Sequence, residues 1–293
     1  MEGYEKLTGF ADEIAGDLET QLGSLKKLNM HYVEMRGVDG KNLIHHDNAK
    51  VKEIKKRLED AGVALSALGS PLGKIGIDDP FELHFEEFKR AVEIAQMMEA
   101  PRIRMFSFYV PREAPDWQQR KDAVKAKVLE RLGRFVDYAK QENVTLLHEN
   151  EKGIYGEKAL ECKELFDALG CKNFRGIFDF ANFVQAGQDT LEAYKLLRDQ
   201  IDYVHVKDAV SGSGKVVPAG YGDGNVAEIL GNMFDDGFQG FLSLEPHLSD
   251  FTGFAGLERG RKRIEMEEGK KLTGFEAFSL AHEALISILH EKN

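Results

Sequence analysis

The chain reads as one α/β domain over residues 1–293, a closed (β/α)8 TIM barrel, and three observations predict it. Short β-type runs alternate with amphipathic helical runs from one end to the other, with no break in composition between them. Helix-to-strand connections are tight turns: Ala61-Gly62-Val63, Glu99-Ala100-Pro101, Gln141-Glu142-Asn143 and Gly237-Phe238-Gln239-Gly240. Strand-to-helix connections are long, at residues 69–80, 107–120, 207–224 and 246–274. In a barrel that asymmetry places all elaboration on the C-terminal face, where sites are built. An open doubly wound sheet is the competitor, because a count of strands does not prove closure.

The strand candidates, in order, are Leu7–Ala11, Tyr32–Arg36, Ala64–Leu68, Arg102–Phe106, Thr145–Glu149, Gly176–Asp179, Tyr203–Val206 and Phe241–Glu245. Each is a short apolar or alternating run bounded by turn residues. The helical patterns between and after them are Asp17–Leu28, Asn48–Ala61, Phe81–Met98, Lys121–Gln141, Glu157–Leu169, Thr190–Arg198, Ala227–Asp235 and Phe275–His290. In the first, Leu18, Leu22, Leu25 and Leu28 fall on one helical face; in the fourth, Val124, Val128, Leu132, Phe135 and Tyr138 do the same. Asn225-x-x-Glu228 has the spacing of a capping box at the start of the seventh helix.

With 42% hydrophobic and 30% charged residues the composition is that of an ordinary soluble globular protein. A net charge of -11 argues against a nucleic-acid or anionic-membrane surface, which needs clustered Lys and Arg. No apolar run opens the chain as a signal peptide would, and none approaches the length of a membrane span. Cys162 and Cys171 have no metal-type spacing, so reduced structural thiols and a cytoplasmic location are expected.

Four successive short apolar runs, the third of them Tyr203-Val204-His205, end on residues that bind hard metals: Glu149, Asp179, His205 and Glu245, at intervals of 26 to 40 residues. An ionisable group at the end of a buried strand is costly unless paired or ligated. Each one alone is more simply a buried residue with a local hydrogen bond. Taken together they suggest one shared centre, rich in oxygen, with one nitrogen and no thiolate, suited to Mn²⁺, Mg²⁺, Co²⁺ or Zn²⁺ with open positions.

The segments His148-Glu149-Asn150, Asp179-x-x-Asn182-Phe183, Val204-His205-Val206-Lys207-Asp208 and Leu244-Glu245-Pro246 resemble the sugar isomerase/epimerase superfamily of xylose-isomerase-like TIM barrels. That group includes ketose 3-epimerases, inosose dehydratase and endonuclease IV. The resemblance runs from Gly9-Phe10 to the last helix, and it is specific for fold and metal but weak for substrate. It implies that Glu149, Asp179, His205 and Glu245 ligate one divalent cation, commonly Mn²⁺, and that the substrate is a small carbohydrate. A family dimer or tetramer is common, so a homo-oligomer is an expectation too. Such a cation polarises a carbonyl and its neighbouring hydroxyl and stabilises an enediolate, while Glu149 and Glu245 move the proton.

Two departures bear on the substrate. Ketose 3-epimerases usually carry a His where Asn182 stands and an Arg where Ser211 stands, and both touch substrate. A free ketohexose is therefore in doubt. Lys207 is a candidate for part of the missing Arg role, or else a strand-end lysine held by Asp208. Glu34 and Arg36 are candidates for substrate hydroxyls, or pair with each other. His148 should point away from the site by strand alternation. His247 either lines the site or is a solvated loop residue. Gly220-x-Gly222-x-Gly224 either presents N–H groups to an anion or is a plain turn. Tyr109, Trp117 and the loop around them fit a lid over substrate or an oligomer contact.

The expected function is thus a metal-dependent sugar isomerase or epimerase, with a dehydratase or lyase on a keto-sugar or inosose as the alternative. An endonuclease-type cluster would need histidines at the third and fourth strand ends, which read Leu68-Gly69-Ser70 and Phe106-Ser107-Phe108. A non-enzymatic sugar-binding or partner-binding barrel is the reading from another class.

Overall fold

Period-two alternation decides what fills the middle of this molecule. Tyr32, Ala67, Leu147, Ile177, Tyr203 and Phe241 meet as one apolar cluster. Two residues further along, the same strands bring Glu34, Glu149, Asp179, His205 and Ser243 inward above that floor. A computed structural model describes residues 4–249 and 272–291.

The strands are β1 (Leu7–Gly9), β2 (Tyr32–Met35), β3 (Ala64–Leu68), β4 (Arg102–Met105), β5 (Thr145–Glu149), β6 (Phe174–Asp179), β7 (Ile201–Val206) and β8 (Phe241–Leu244). They form one sheet whose neighbours follow chain order, with β8 next to β1 and its pairings among the described residues all parallel. The two ends of that order, β1 and β2, pack against each other and bring the sheet nearly to closure. This is the TIM-barrel fold, and the open sheet is excluded.

Helices alternate with the strands: α1 (Leu18–Lys27), α2 (Asn48–Asp60), α3 (Phe81–Met97), α4 (Trp117–Glu142), α5 (Ala159–Leu169), α6 (Thr190–Leu197), α7 (Val226–Asp235) and α8 (Gly274–His290). Their ends follow local chemistry. The Asp17 carboxylate accepts from Thr20 N–H at 2.8 Å and Asp47 from Lys50 N–H at 2.8 Å, while Thr273 and Glu276 form a reciprocal box.

The box expected at Asn225 does not form. Asn225 adopts a left-handed backbone with φ 53°, and its amide donates to Thr190 Oγ1 at 2.9 Å instead. Helix α4 begins four residues earlier than the apolar spacing indicates, at Trp117, because Gln118, Gln119 and Arg120 add no apolar periodicity to its first turn. A short helix, Phe180–Gln185, follows β6 directly, started by the Asp179 carboxylate accepting from Asn182 N–H at 2.8 Å. Within 207–224 the chain forms a two-stranded ribbon, Asp208–Val210 with Lys215–Val217. The long 246–274 connection lies mostly outside the described residues. Among those described, no helix is long and apolar enough to cross a membrane.

Candidate metal centre

Glu149 and Asp179 are the last residues of β5 and β6, His205 is the penultimate residue of β7, and Glu245 directly follows β8. Barrel curvature turns these neighbouring strand ends toward one point. One donor atom from each of the four lies within 4.8 Å of the others, and all four side chains are buried. His205 Nδ1 faces the middle of the group, 3.2 Å from Glu149 Oε1, 3.5 Å from Glu245 Oε2 and 3.8 Å from Asp179 Oδ2.

The other imidazole nitrogen is held from behind. Nε2 donates to Glu34 at 3.1 Å, and Ser243 Oγ donates to the same carboxylate at 2.6 Å. Glu34 accepts, so Nε2 carries a proton, and Nδ1 is the atom turned to the centre. Beneath it, Tyr203 Oη meets Ser66 Oγ at 2.9 Å, and Ser66 meets Thr8 Oγ1 at 2.8 Å. Asn182 Nδ2 donates to Glu149 Oε1 at 3.2 Å and to the Asn150 carbonyl at 2.9 Å, so it steadies a glutamate of the group.

Three cations border the cluster. Lys207 Nζ lies 2.7 Å from Glu245 Oε2 and 3.1 Å from Asp179 Oδ2. Arg104 Nη1 reaches Glu149 Oε2 at 3.2 Å and Glu245 Oε1 at 3.8 Å. Arg36 is clamped by Asp12 at 2.8 and 3.1 Å and reaches Glu245 Oε1 at 3.2 Å. Each glutamate therefore turns one oxygen to the centre and the other toward an arginine.

The electrostatics show competing demands. Burial alone would neutralise Glu149, but His205 and Arg104 outweigh it and bring the carboxyl down to about 2. Burial likewise opposes ionisation of Glu245, and Lys207 and His247 overcome it, holding the carboxyl well below the usual range. For Asp179 burial wins over Lys207, assisted by its two glutamate neighbours, and its carboxyl rises to about 7. Burial works against charge on His205, yet Glu149 and Glu34 hold its imidazole well above the ordinary range. The centre, in short, demands positive charge.

The residues fit a divalent cation on a further observation. Asp179 Oδ2 and His205 Nδ1 are buried and take part in no well-aligned hydrogen bond. Unsatisfied buried polar atoms are costly, and here they face the same point as the carboxylates. Glu149, Asp179, His205 and Glu245 are the residues that would hold the ion.

A second trio, Glu13, Glu245 and His247, also has metal-ligand spacing. The Arg36 guanidinium already lies 3.4 Å from Glu13 Oε1. His247 N–H donates to Glu13 at 2.7 Å, and its Nε2 lies 3.4 Å from Glu245 Oε1. Burial would deprotonate this imidazole, but Glu13 and Glu245 raise it to about 9, so an imidazolium balances the two acids. His247 thus lines the site rather than a solvated loop.

The remaining sequence candidates divide. Lys207 and Asn182 belong to the cluster. Glu34 and Arg36 are both there but do not pair with each other; Glu34 backs His205, and Arg36 takes Asp12. Trp117 sits at the start of α4, its ring 5.6 Å from the Arg112 guanidinium, which Glu161 holds at 2.7 Å. Those contacts tie it to the 107–120 connection and α5. His148 points outward between Phe166 and Phe174, as alternation requires. Lys207 is not held by Asp208: that carboxylate accepts from Ala209, Gly220, Gly222 and Gly224 N–H at 2.8 to 3.1 Å. The glycine triplet does bind an anion, namely the chain's own Asp208. Sequence reasoning missed Arg104, Asp12 and Glu13; strand alternation through Arg102-Ile103-Arg104 was the available signal for the first.

A barrel with a buried acid–imidazole cluster at its C-terminal mouth defines the class, and comparison gives the family. The chain belongs to the xylose isomerase-like TIM barrel family, which it matches over residues 22–266. No curated protein matches it by sequence. Similar solved structures include the IOLI protein with a bound zinc atom, at 16% identity over 98% of each chain and a TM-score of 0.73. Another is the probable 3-DHS dehydratase AsbF of Bacillus anthracis, at 17% identity over 98% of this chain and 100% of that one, TM-score 0.71. A D-tagatose 3-epimerase-like protein matches at 15% identity over 98% and 100%, TM-score 0.71. At such identities the likeness shows the shared fold.

Proposed function

We propose that the protein is a divalent-metal-dependent isomerase or epimerase of a keto-sugar or sugar derivative. The observation that carries this is the geometry of Glu149 and Glu245. Each places one oxygen at the centre and holds its other oxygen outside it, at Arg104. A cation bound there, Mn²⁺ by family resemblance, would polarise the carbonyl and adjacent hydroxyl of the substrate.

The chain's own groups do the rest. The outer oxygen of one glutamate takes the proton from the carbon next to the carbonyl and afterwards yields it to solvent; the other glutamate, having taken a proton from solvent, delivers it from its own side. Return to the same carbon on the opposite face inverts it; return to the neighbouring carbon isomerises the sugar. Lys207 and Arg104 stand beside the oxygens on which negative charge grows. Glu34 and Ser243 keep the His205 ring fixed throughout. The bound zinc of the IOLI structure and the epimerase-like neighbour support this reading, since both share the fold.

The test is a panel of keto-sugars, inososes and sugar phosphates incubated with the Mn²⁺-loaded chain in D₂O and followed by NMR. Deuterium entering at one carbon of a substrate, with an isomer accumulating, is the expected result. Elimination of water from the substrate would move the assignment to the dehydratase alternative, and no exchange or elimination across the panel would contradict both.

A further inference from the structure

Two buried arginines flank the cluster, and only one of them is fully engaged. Arg36 is locked by both Asp12 oxygens, by Glu13 and by Glu245. Arg104 is 2% exposed, yet its bond to Glu149 is 3.2 Å, its contact with the Gly69 carbonyl is 3.5 Å, and its Nε has no hydrogen-bond partner. Leaving a donor of a buried guanidinium unmet is costly.

The guanidinium is nevertheless well placed. It lies over the Phe10 ring at 4.8 Å and near the Phe106 ring at 5.1 Å, contacts that favour a cation and restrict its movement. Its acidic neighbour, Glu149, is also one of the four residues that would share their charge with a metal ion. Arg104 is thus a planar fork with spare donors beside the reacting centre, and its natural complement is a planar pair of anionic oxygens.

We propose that this site takes a substrate bearing a carboxylate, a keto-sugar acid rather than a neutral sugar, and that Arg104 is the residue that binds that group. The inference rests on the metal-dependent reading above for the position of the reacting carbon.

The probes are L-sorbose and 5-keto-D-gluconate, which share the ketone end and differ in a terminal CH₂OH or carboxylate. Their binding to the full chain is measured by calorimetry with and without Mn²⁺, after Mn²⁺ uptake has been titrated separately. The keto acid should bind about 10- to 100-fold more tightly, the range of a charged hydrogen-bond pair. Arg104→Gln should remove that preference while still taking up Mn²⁺, and Arg104→Lys should restore part of it.

The metal-free arm excludes chelation of the carboxylate by the ion. Should Arg104→Gln not fold, Arg104→Lys carries the test, and an undiminished preference there would equally overturn the proposal. Equal binding of the two probes in both arms would mean that solvent satisfies Arg104 and would overturn the proposal. So would a preference that survives Arg104→Gln unchanged. Failure to take up Mn²⁺ is a different result, and it strikes the metal-dependent reading instead.

Discussion

Asp179 and Asp208 are both buried aspartates at the ends of barrel strands, and they are treated in opposite ways. Every oxygen of Asp208 accepts backbone N–H groups, from Ala209 and Gly224 on one side and Gly220 and Gly222 on the other. A Cβ on Gly222 or Gly224 would come within 2.6 Å of that carboxylate, so the glycines are what allow the loop to wrap it. Asp179 spends Oδ1 on the N–H of Asn182 but leaves Oδ2 without a hydrogen bond, facing His205 and Lys207. One acid holds a loop together; the other turns an oxygen to the acid–imidazole cluster. Burial is the same in both, so burial does not mark out a candidate site, whereas an oxygen facing other ligand atoms does.

The sharpest way to break this contrast is to exchange the acids of the centre. Glu149→Gln and Glu245→Gln should each lower substrate proton exchange by about 10²- to 10⁴-fold, the range for loss of a general base, read by NMR in D₂O. Asp208→Ala should leave Mn²⁺ uptake in place but destabilise the fold by about 3 kcal/mol in urea titration, because its N–H donors lose their acceptor. If Asp208→Ala abolished metal uptake with unchanged stability, the distinction between the two aspartates would be wrong.

His148 supplies a case between the two. Its Nε2 is met by Ser107 Oγ at 2.8 Å while Nδ1 has no partner among apolar surroundings. Burial pushes its imidazole down to about 4. The unfolded chain takes up that proton near 6.5, so the stability conferred by neutral His148 is complete above 6.5 and falls as the pH drops toward 4. The loss amounts to about 3 kcal/mol from the shift between 6.5 and about 4. His148→Gln should flatten the acid limb of the stability curve by that amount relative to wild type, measured by denaturant titration at several pH values.

The smallest effect is expected behind the centre. Glu34→Ala removes the acceptor of His205 Nε2, and loss of such an orienting partner costs about 10- to 100-fold in metal affinity. Glu34→Gln, which can still accept, should lose less. Equal affinities in all three proteins would show that the Glu34–His205 bond does not set the imidazole.

The barrel and its four converging side chains were readable because both follow from strand ends: Glu149, Asp179, His205 and Glu245 each close an apolar run. What surrounds them was not, because it depends on which strands face each other across the barrel. Glu34 reaches His205 over 171 positions of chain and Ser243 over 209, and a list of strand ends carries no such pairing. Glu34 and Arg36 looked like partners because they are near in sequence, yet each found a stronger partner on another element. Asp208 looked like a partner for Lys207 for a related reason: the glycines that satisfy it lie 12 to 16 residues away in a loop whose path was not evident. Arg104 was not legible as a site residue because it lies two positions before the end of its run, Arg102–Phe106, in a segment with no ionisable residue at its tip.

The most direct measurement is the anomalous diffraction of a crystal of the full chain soaked in Mn²⁺. A single peak at bonding distance, about 2.0–2.3 Å, from Glu149, Asp179, Glu245 and His205 Nδ1 is the predicted result. A peak elsewhere, or none after reconstitution, would contradict the metal centre and leave only the barrel.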